Sequence, residues 1–269
     1  MSPSDESTIR VLCIGDVFGK AGRTAVNRLL PRLIERHQLD LVIANAENAA
    51  GGVGLTIDTA NDLLDEPVAL LTSGNHIWRH REVIGLLERE ERILRPLNYP
   101  PGTPGRGFAL CETPAGIKVG VINVLGRVFM DPVASPFETI GPAIDELRKQ
   151  TPIILVDVHA EATSEKRAMG WYLDGRVSAV FGTHTHILTD DDEVLPGGTG
   201  YITDLGMTGP YDSIIGMKKE PVLQRFLTMR PASFSAAKKD VRLCGAVFTI
   251  DVETGKALNV ERVRERMED

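Results

Sequence analysis

Eight residues in five short clusters carry side chains able to bind cations or move protons: Asp16, Glu47, Asn48, Asn75, His76, His159, His184 and His186. Carboxylate, amide and imidazole without thiolate form a nitrogen and oxygen donor set, which suits iron, manganese or zinc without choosing among them. Glu47 offers a carboxylate able to bridge two cations, with the Asn48 amide beside it. The following Ala49-Ala50-Gly51-Gly52 lets backbone approach closely. His184 and His186 stand two apart, so on an extended segment both rings point to one face and can meet at one place. His159 adds a third imidazole between Asp157 and Glu161, whose carboxylates can orient ligand rings from outside. Asn75 and His76 are adjacent and diverge on an extended chain. One can bind metal while His76 stays free as a general acid that titrates near neutrality.

Each cluster ends an apolar run: residues 9–14, 39–44, 68–71, 153–156 and 177–181. Short runs rich in Val, Ile and Leu read as buried parallel strands. Parallel strands bring their C-terminal ends to one edge, where α/β proteins bind ligands. Helices are expected at 22–35, at 57–64 behind a Thr56 cap, at 79–90 and at 142–149. The proline-rich stretch 96–104 reads as a loop, and 107–111 with 118–124 as a hairpin around Pro114-Ala115-Gly116. Residues 201–263 read as strand-rich, closing with strands 246–252 and 257–263 around Glu253-Thr254-Gly255-Lys256. The clusters arrive in two groups separated by a hairpin, which predicts two sheets within a single domain spanning 1–269.

The glycine turn Gly15-Asp16-Val17-Phe18-Gly19-Lys20-Ala21 resembles a nucleotide loop without being one. Its glycine spacing is short for a P-loop, and Ala21 replaces the Ser or Thr that would hold magnesium. Val17 occupies the place of the second glycine of a dinucleotide turn, and Asp16 would repel a pyrophosphate there.

The chain has 269 residues, 42% hydrophobic and 25% charged, with a net charge of −7. That length buries a full core, and that charge disfavours long nucleic acid. A small phosphorylated substrate stays allowed, because a bound dication supplies local positive charge. Cys13, Cys111 and Cys244 are far apart and lack a CxxC spacing, so buried reduced thiols are expected. The opening Met1-Ser2-Pro3-Ser4-Asp5-Glu6-Ser7 is polar and acidic, unlike a secretory signal. No apolar run approaches the ~20 residues that span a bilayer. A cytoplasmic protein is expected, with no membrane contact and with self-association left open.

In this order, the clusters resemble those of the calcineurin-like metallophosphoesterases, over about two thirds of the chain from Asp16 to His186. Three positions depart from the general pattern: Asp16-Val17-Phe18 where Asp-x-His is usual, Ala46-Glu47-Asn48 where Gly-Asp is usual, and Ile77 after Gly74-Asn75-His76. Those departures resemble the narrower bacterial branch of YmdB-type phosphodiesterases, whose five motifs all stand here, Thr163-Ser164-Glu165-Lys166 continuing the fourth.

The resemblance implies a metallophosphoesterase-type α/β sandwich, with two central β-sheets flanked by helices. It implies two metal ions, iron or manganese favoured and zinc allowed. One would take Asp16, Glu47, Asn48 and His186, with Asn48 in the role Phe18 leaves open. The other would take Glu47, Asn75, His159 and His184, with Glu47 bridging. The implied reaction is hydrolysis of small phosphodiesters, including 2′,3′- or 3′,5′-cyclic nucleotides. A hydroxide between the ions attacks in line, and His76 protonates the leaving oxygen. A ribonuclease or phosphomonoesterase on the same site, or a metal-dependent regulatory binding protein, are the alternatives. Selectivity is expected in the loops 96–106, Gly126-Arg127 and 207–212.

Overall fold

Alternate residues along a strand face opposite ways, and this decides the layers. A computed structural model describes residues 7–268, so the expectation for the polar opening, residues 1–6, lies outside the described residues. In strand β1 (Thr8–Ile14), Leu12 and Ile14 join one core cluster while Val11 and Cys13 join another. The first cluster lies under helices α1 (Gly19–His37), α2 (Ile57–Leu64) and α3 (Val83–Arg89). The second lies between two sheets. A third fills the far side, under α4 (Pro136–Arg148) and α5 (Thr163–Leu173). The result is the expected sandwich, with helices outside two central sheets.

The first sheet runs β2 (Asp16–Val17), β11 (Met207–Pro210), β12 (Val241–Asp251), β1, β3 (Leu41–Asn45) and β4 (Leu70–Thr72), with β13 (Ala257–Arg266) also on β12. The second runs β5 (Phe108–Glu112), β6 (Lys118–Leu125), β7 (Ile154–His159), β8 (Ala179–Thr183), β10 (Gly200–Ile202) and β9 (Glu193–Val194). Within the first, β1, β3 and β4 are parallel. Within the second, β6, β7, β8 and β10 are parallel, with His159 opposite Thr183. The chain crosses from the second sheet to the first between β10 and β11, where Met207 pairs with Asp16. That crossing needs small residues, since a Cβ at Gly15 would collide with the Gly206 carbonyl.

Several expectations are corrected. Helix α1 starts at Gly19, where φ is +57°, three residues before the expected start. The helix expected over 79–90 is a 3₁₀ turn, Ile77–Arg79, followed by the shorter α3. Helix α4 begins with Pro136 rather than Pro142. Proline favours a first turn, but Pro142 lies inside, where its missing N–H costs one helical bond. The stretch read as strand-rich contains helix α6 (Lys219–Thr228). Cys111 is half-buried rather than buried, although all three thiols are free as expected. Among the described residues, no helix is long and apolar enough to cross a membrane.

Candidate metal centre

The polar clusters meet where the C-terminal ends of the two sheets come together. From the second sheet, His159 ends β7 fully buried. Its Nε2 faces Nδ1 of His184 at 3.1 Å, Oε1 of Glu47 at 3.2 Å and Oδ1 of Asn75 at 3.2 Å. Donor atoms of Glu47, His159 and His184 all lie within 4.8 Å of one another, a spacing that can hold a cation. Gly74 makes this approach feasible, because a Cβ there would overlap both the His159 ring and the Glu47 carboxylate.

Proton competition reveals the same convergence. Burial opposes charge on His159, yet the carboxylates of Glu47, Asp16 and Asp157 outweigh it and lift the imidazole to about 9. Burial and then the neighbouring His159 push His184 down to about 3. The two nitrogens face each other at 3.1 Å, so charge on one ring opposes charge on the other. Burial works against ionised Glu47 as well, but His159 and His76 keep it well below the usual carboxylate range.

From the first sheet come Asp16 on β2, Glu47 and Asn48 after β3, and Asn75 and His76 after β4. Asp16 is fully buried; its Oδ2 accepts the His184 backbone N–H at 3.0 Å. Its Oδ1 has no hydrogen-bond partner among the described residues and faces Nε2 of His186 at 3.8 Å. A buried acceptor left unpaired costs about 1–3 kcal/mol, and burial pushes the Asp16 carboxyl up. A cation between Asp16 and His186 removes that penalty, so the residues present fit a metal on this side as well.

Asn48 joins the two sides. Its Nδ2 donates to Oε1 of Glu47 and to Nε2 of His186, both at 3.1 Å, while Oδ1 accepts from Nδ1 of His76 at 2.8 Å. The amide nitrogen therefore faces the carboxylate and imidazole side. Half a turn of the amide would present its oxygen there, and the two ends are nearly isosteric. All eight residues singled out from the sequence thus form one connected group.

The convergence of His184 and His186 has a different cause from the one expected. Strand β8 stops at Thr183, and the two histidines have φ of +97° and +66°, a left-handed region that costs side-chain-bearing residues energy. Asp204 holds this strained turn. Its Oδ2 accepts from the N–H and Oγ1 of Thr185, between the histidines, at 3.2 and 2.8 Å. Lys166 pairs with the same oxygen at 2.6 Å, and both side chains are buried. The remaining histidine nitrogens are held too: Nδ1 of His186 by the Ile215 carbonyl at 2.9 Å, and Nε2 of His184 by Glu161 at 3.2 Å.

Asp157 orients His159 indirectly. It accepts from Thr183 Oγ1 at 2.7 Å, and that hydroxyl lies 2.9 Å from Nδ1 of His159. Asp157 and Glu161 therefore hold imidazole rings, one through Thr183 and one directly. Sequence reasoning missed Asp204 and Ile215. The signal for Asp204 was present: it too closes an apolar run, Tyr201-Ile202-Thr203-Asp204, but as a lone acid without a histidine nearby.

His76 is the half-exposed member of the group. Its ring meets Oε1 of Glu47 at 3.2 Å and its side chain is 37% exposed. The hydrogen bond to Glu47 holds the imidazole above its ordinary value, against burial. At the rim, Glu165 accepts the backbone N–H groups of Arg127 and Val128, fixing the root of that loop beside His159.

A Bacillus subtilis (strain 168) protein, 2′,3′-cyclic-nucleotide 2′-phosphodiesterase, is 45% identical over 255 residues, covering 95% of this chain and 96% of the relative. A crystal structure of a novel phosphatase from Mycoplasma pneumoniae superposes with a TM-score of 0.90 at 34% identity, covering 97% of this chain and 95% of that one. A hypothetical protein from Thermus thermophilus does so with a TM-score of 0.86 at 47% identity, covering 97% and 100%. The fold is therefore the metallophosphoesterase-type sandwich. The model of the YmdB-like protein family matches residues 12–263, a span that takes in both sheets and every residue of the polar group, and the chain belongs to that family.

Proposed function

We propose that this chain hydrolyses small phosphodiesters, with 2′,3′- or 3′,5′-cyclic nucleotides as the substrate class, at a centre for two metal ions. Asp16, Glu47, Asn48 and His186 hold one ion, and Glu47, Asn75, His159 and His184 hold the other. The observation that carries the reading is the position of Glu47. On one side of it lies the unpaired Asp16 oxygen facing His186; on the other lie the converging nitrogens of His159 and His184. When bound, the two cations supply positive charge that offsets the phosphoryl oxygens and makes water acidic enough to attack.

The chain's own residues do the rest. His76 anchors Nδ1 on Glu47 and keeps a half-exposed ring. Its Nε2–H donates a proton to the departing alkoxide, the step a diester needs most. Asp204, Lys166, Thr183 and Asp157 keep the imidazoles in place, so little reorganisation is required at reaction. Iron or manganese is the favoured pair, within a donor set that also takes zinc. Both sheets supply ligands, so 1–269 acts as one domain, and the three free thiols suit a cytoplasmic setting.

The enzyme is a phosphoric diester hydrolase, as the Bacillus subtilis relative is by name. The name of the Mycoplasma pneumoniae neighbour favours a monoesterase as the second reading. The deciding experiment loads the purified protein with manganese or iron, counts bound metal, and compares cyclic nucleotides with aryl diesters and monoesters. Two ions per chain with preference for cyclic diesters supports the first reading. Faster monoester turnover selects the second, and metal binding without turnover of any ester would leave a regulatory binding protein.

A further inference from the structure

The loop that follows β6 is held firmly at its root and at both ends, yet it carries an apolar ring into solvent. The Gly126 N–H donates to the His159 carbonyl at 2.9 Å, so the loop starts on the backbone of a proposed ligand. Buried Glu165 then accepts the N–H groups of Arg127 and Val128 at 3.0–3.2 Å. Hydrogen bonds to an ionised carboxylate are among the stronger ones. Buried Asn98 closes the loop. Its Nδ2 donates to the carbonyls of Leu125 and Ala134, and its Oδ1 accepts the Leu125 N–H, each at 2.8 Å. Beyond this frame Val128 is 43% exposed and Phe129 90%. Phe129 also holds a φ of +61°, a left-handed conformation that disfavours any residue with a Cβ. A strained, exposed ring on a firmly held loop points to a contact made in function rather than in folding.

A cavity of about 550 Å³ lies between this loop and the segment before β5, with Arg95, Leu97, Tyr99, Pro132, Val133 and Thr139 in its lining. That volume is in the range of small-molecule sites. No acidic side chain lines it, and the terminal nitrogens of Arg95 are already spent on the carbonyls of Pro96, Leu97, Thr103 and Gly105. Such walls suit a flat, neutral group better than a phosphate. Tyr99 links the cavity to the metal centre. Its ring meets Trp78 edge-on at 5.5 Å, and Trp78 stands two residues after His76. Burial pushes the Tyr99 hydroxyl up, and the carboxylates of Asp131, on the loop, and of Glu47 are near enough to add to that rise. We propose that this cavity and the Phe129 loop receive the base of a nucleoside cyclic phosphate whose phosphate lies on the metal centre, with Tyr99 and Phe129 as the stacking faces. The inference rests on the phosphodiesterase reading above and deepens it: metal ions bind any phosphoryl group, so preference for nucleotides must come from a surface of this kind. Aromatic rings stack on every base, so the subsite favours nucleotides over base-free diesters without choosing among bases.

Two substrates that differ only in the base test this: adenosine 2′,3′-cyclic phosphate and methyl ribofuranoside 2,3-cyclic phosphate, each with the manganese-loaded full chain. The wild type should prefer the nucleotide in kcat/KM by about 5–100-fold, the range that stacking of one base supplies. Phe129→Ala removes a ring already in solvent, so its circular dichroism should match the wild type. Its preference for the nucleotide should fall severalfold, through a higher KM for that substrate. Val133→Trp fills the cavity and should lower the preference in the same way. A wild type that turns over both substrates equally, or two variants that keep its preference, overturns the subsite and leaves the phosphodiesterase reading standing. Variants that slow both substrates by the same factor overturn it too, since they then act on the centre and not on the base. A wild type that hydrolyses neither substrate removes the reading on which the subsite rests, and the subsite with it.

Discussion

The candidate metal centre and helix α6 invert the ordinary distribution of side chains in opposite directions. At the centre, Asp16, Glu47, Asn48 and His159 are polar and buried; on α6, Phe226, Leu227 and Met229 are apolar and exposed. Buried polar groups and exposed apolar patches are the two informative exceptions to the rule that apolar residues go inside. They differ in how firmly the protein holds them. The centre is tied by charged and neutral hydrogen bonds from both sheets, down to the Lys166–Asp204 pair beneath the histidine turn. Helix α6 buries only Val222. A site that must place atoms for chemistry is rigidly supported, while α6 carries its apolar side chains in solvent with one buried residue.

The largest test of that difference is Glu47→Gln. It keeps the shape but removes the charge that both His76 and His159 face. Bound metal should fall, and diester turnover should drop at least about 10³-fold, more than the loss of a single transition-state donor. Turnover near wild type with full metal content would break the assignment of Glu47. Next comes His76→Ala, expected to lower kcat by about 10²–10⁴-fold while metal content stays at wild type. Metal analysis alongside kcat separates it from Glu47→Gln, since a proton donor and a ligand fail differently.

Lys166→Met addresses the support rather than the chemistry. It leaves Asp204 as an unpaired buried carboxylate, which destabilises by about 3–5 kcal/mol. Thermal denaturation should show this as a lower Tm. The pair variant Lys166→Met/Asp204→Leu removes both charges and should recover most of that stability. It also frees Thr185, so calorimetric manganese affinity should still be about 10–100-fold weaker. Stability and metal affinity recovering together would mean that the pair does not position the turn.

Much of this edge was legible in the sequence because it rests on a simple physical rule. An apolar run long enough for one strand, closed by a polar cluster, places that cluster on the sheet's C-terminal edge. Asp16, Glu47, Asn75, His159 and His184 all follow it. What escaped was of two kinds. Asp204 obeys the same rule but is a single acid, and its importance depends on Lys166, which is 38 residues away in sequence. His184 and His186 do converge, but through positive φ angles, which residue type does not announce outside glycine. Helix α6 was illegible for a further reason. Its apolar residues face solvent, so periodicity signals a buried face where the single chain has none.

The smallest effect sharpens the comparison best. Leu30 in α1 is fully buried in the core beneath the first sheet, whereas Leu227 in α6 is 82% exposed. Leu30→Ala removes packed methyl groups and should cost about 2–5 kcal/mol in urea or thermal denaturation. Leu227→Ala removes groups already in water, and alanine is the better helix former, so it should change stability by less than about 0.5 kcal/mol. The measurement must be made dilute enough for single chains, because association would add its own free energy to the wild type. If Leu227→Ala proves as costly as Leu30→Ala even in dilute solution, α6 packs against its own chain and the contrast between the two regions disappears.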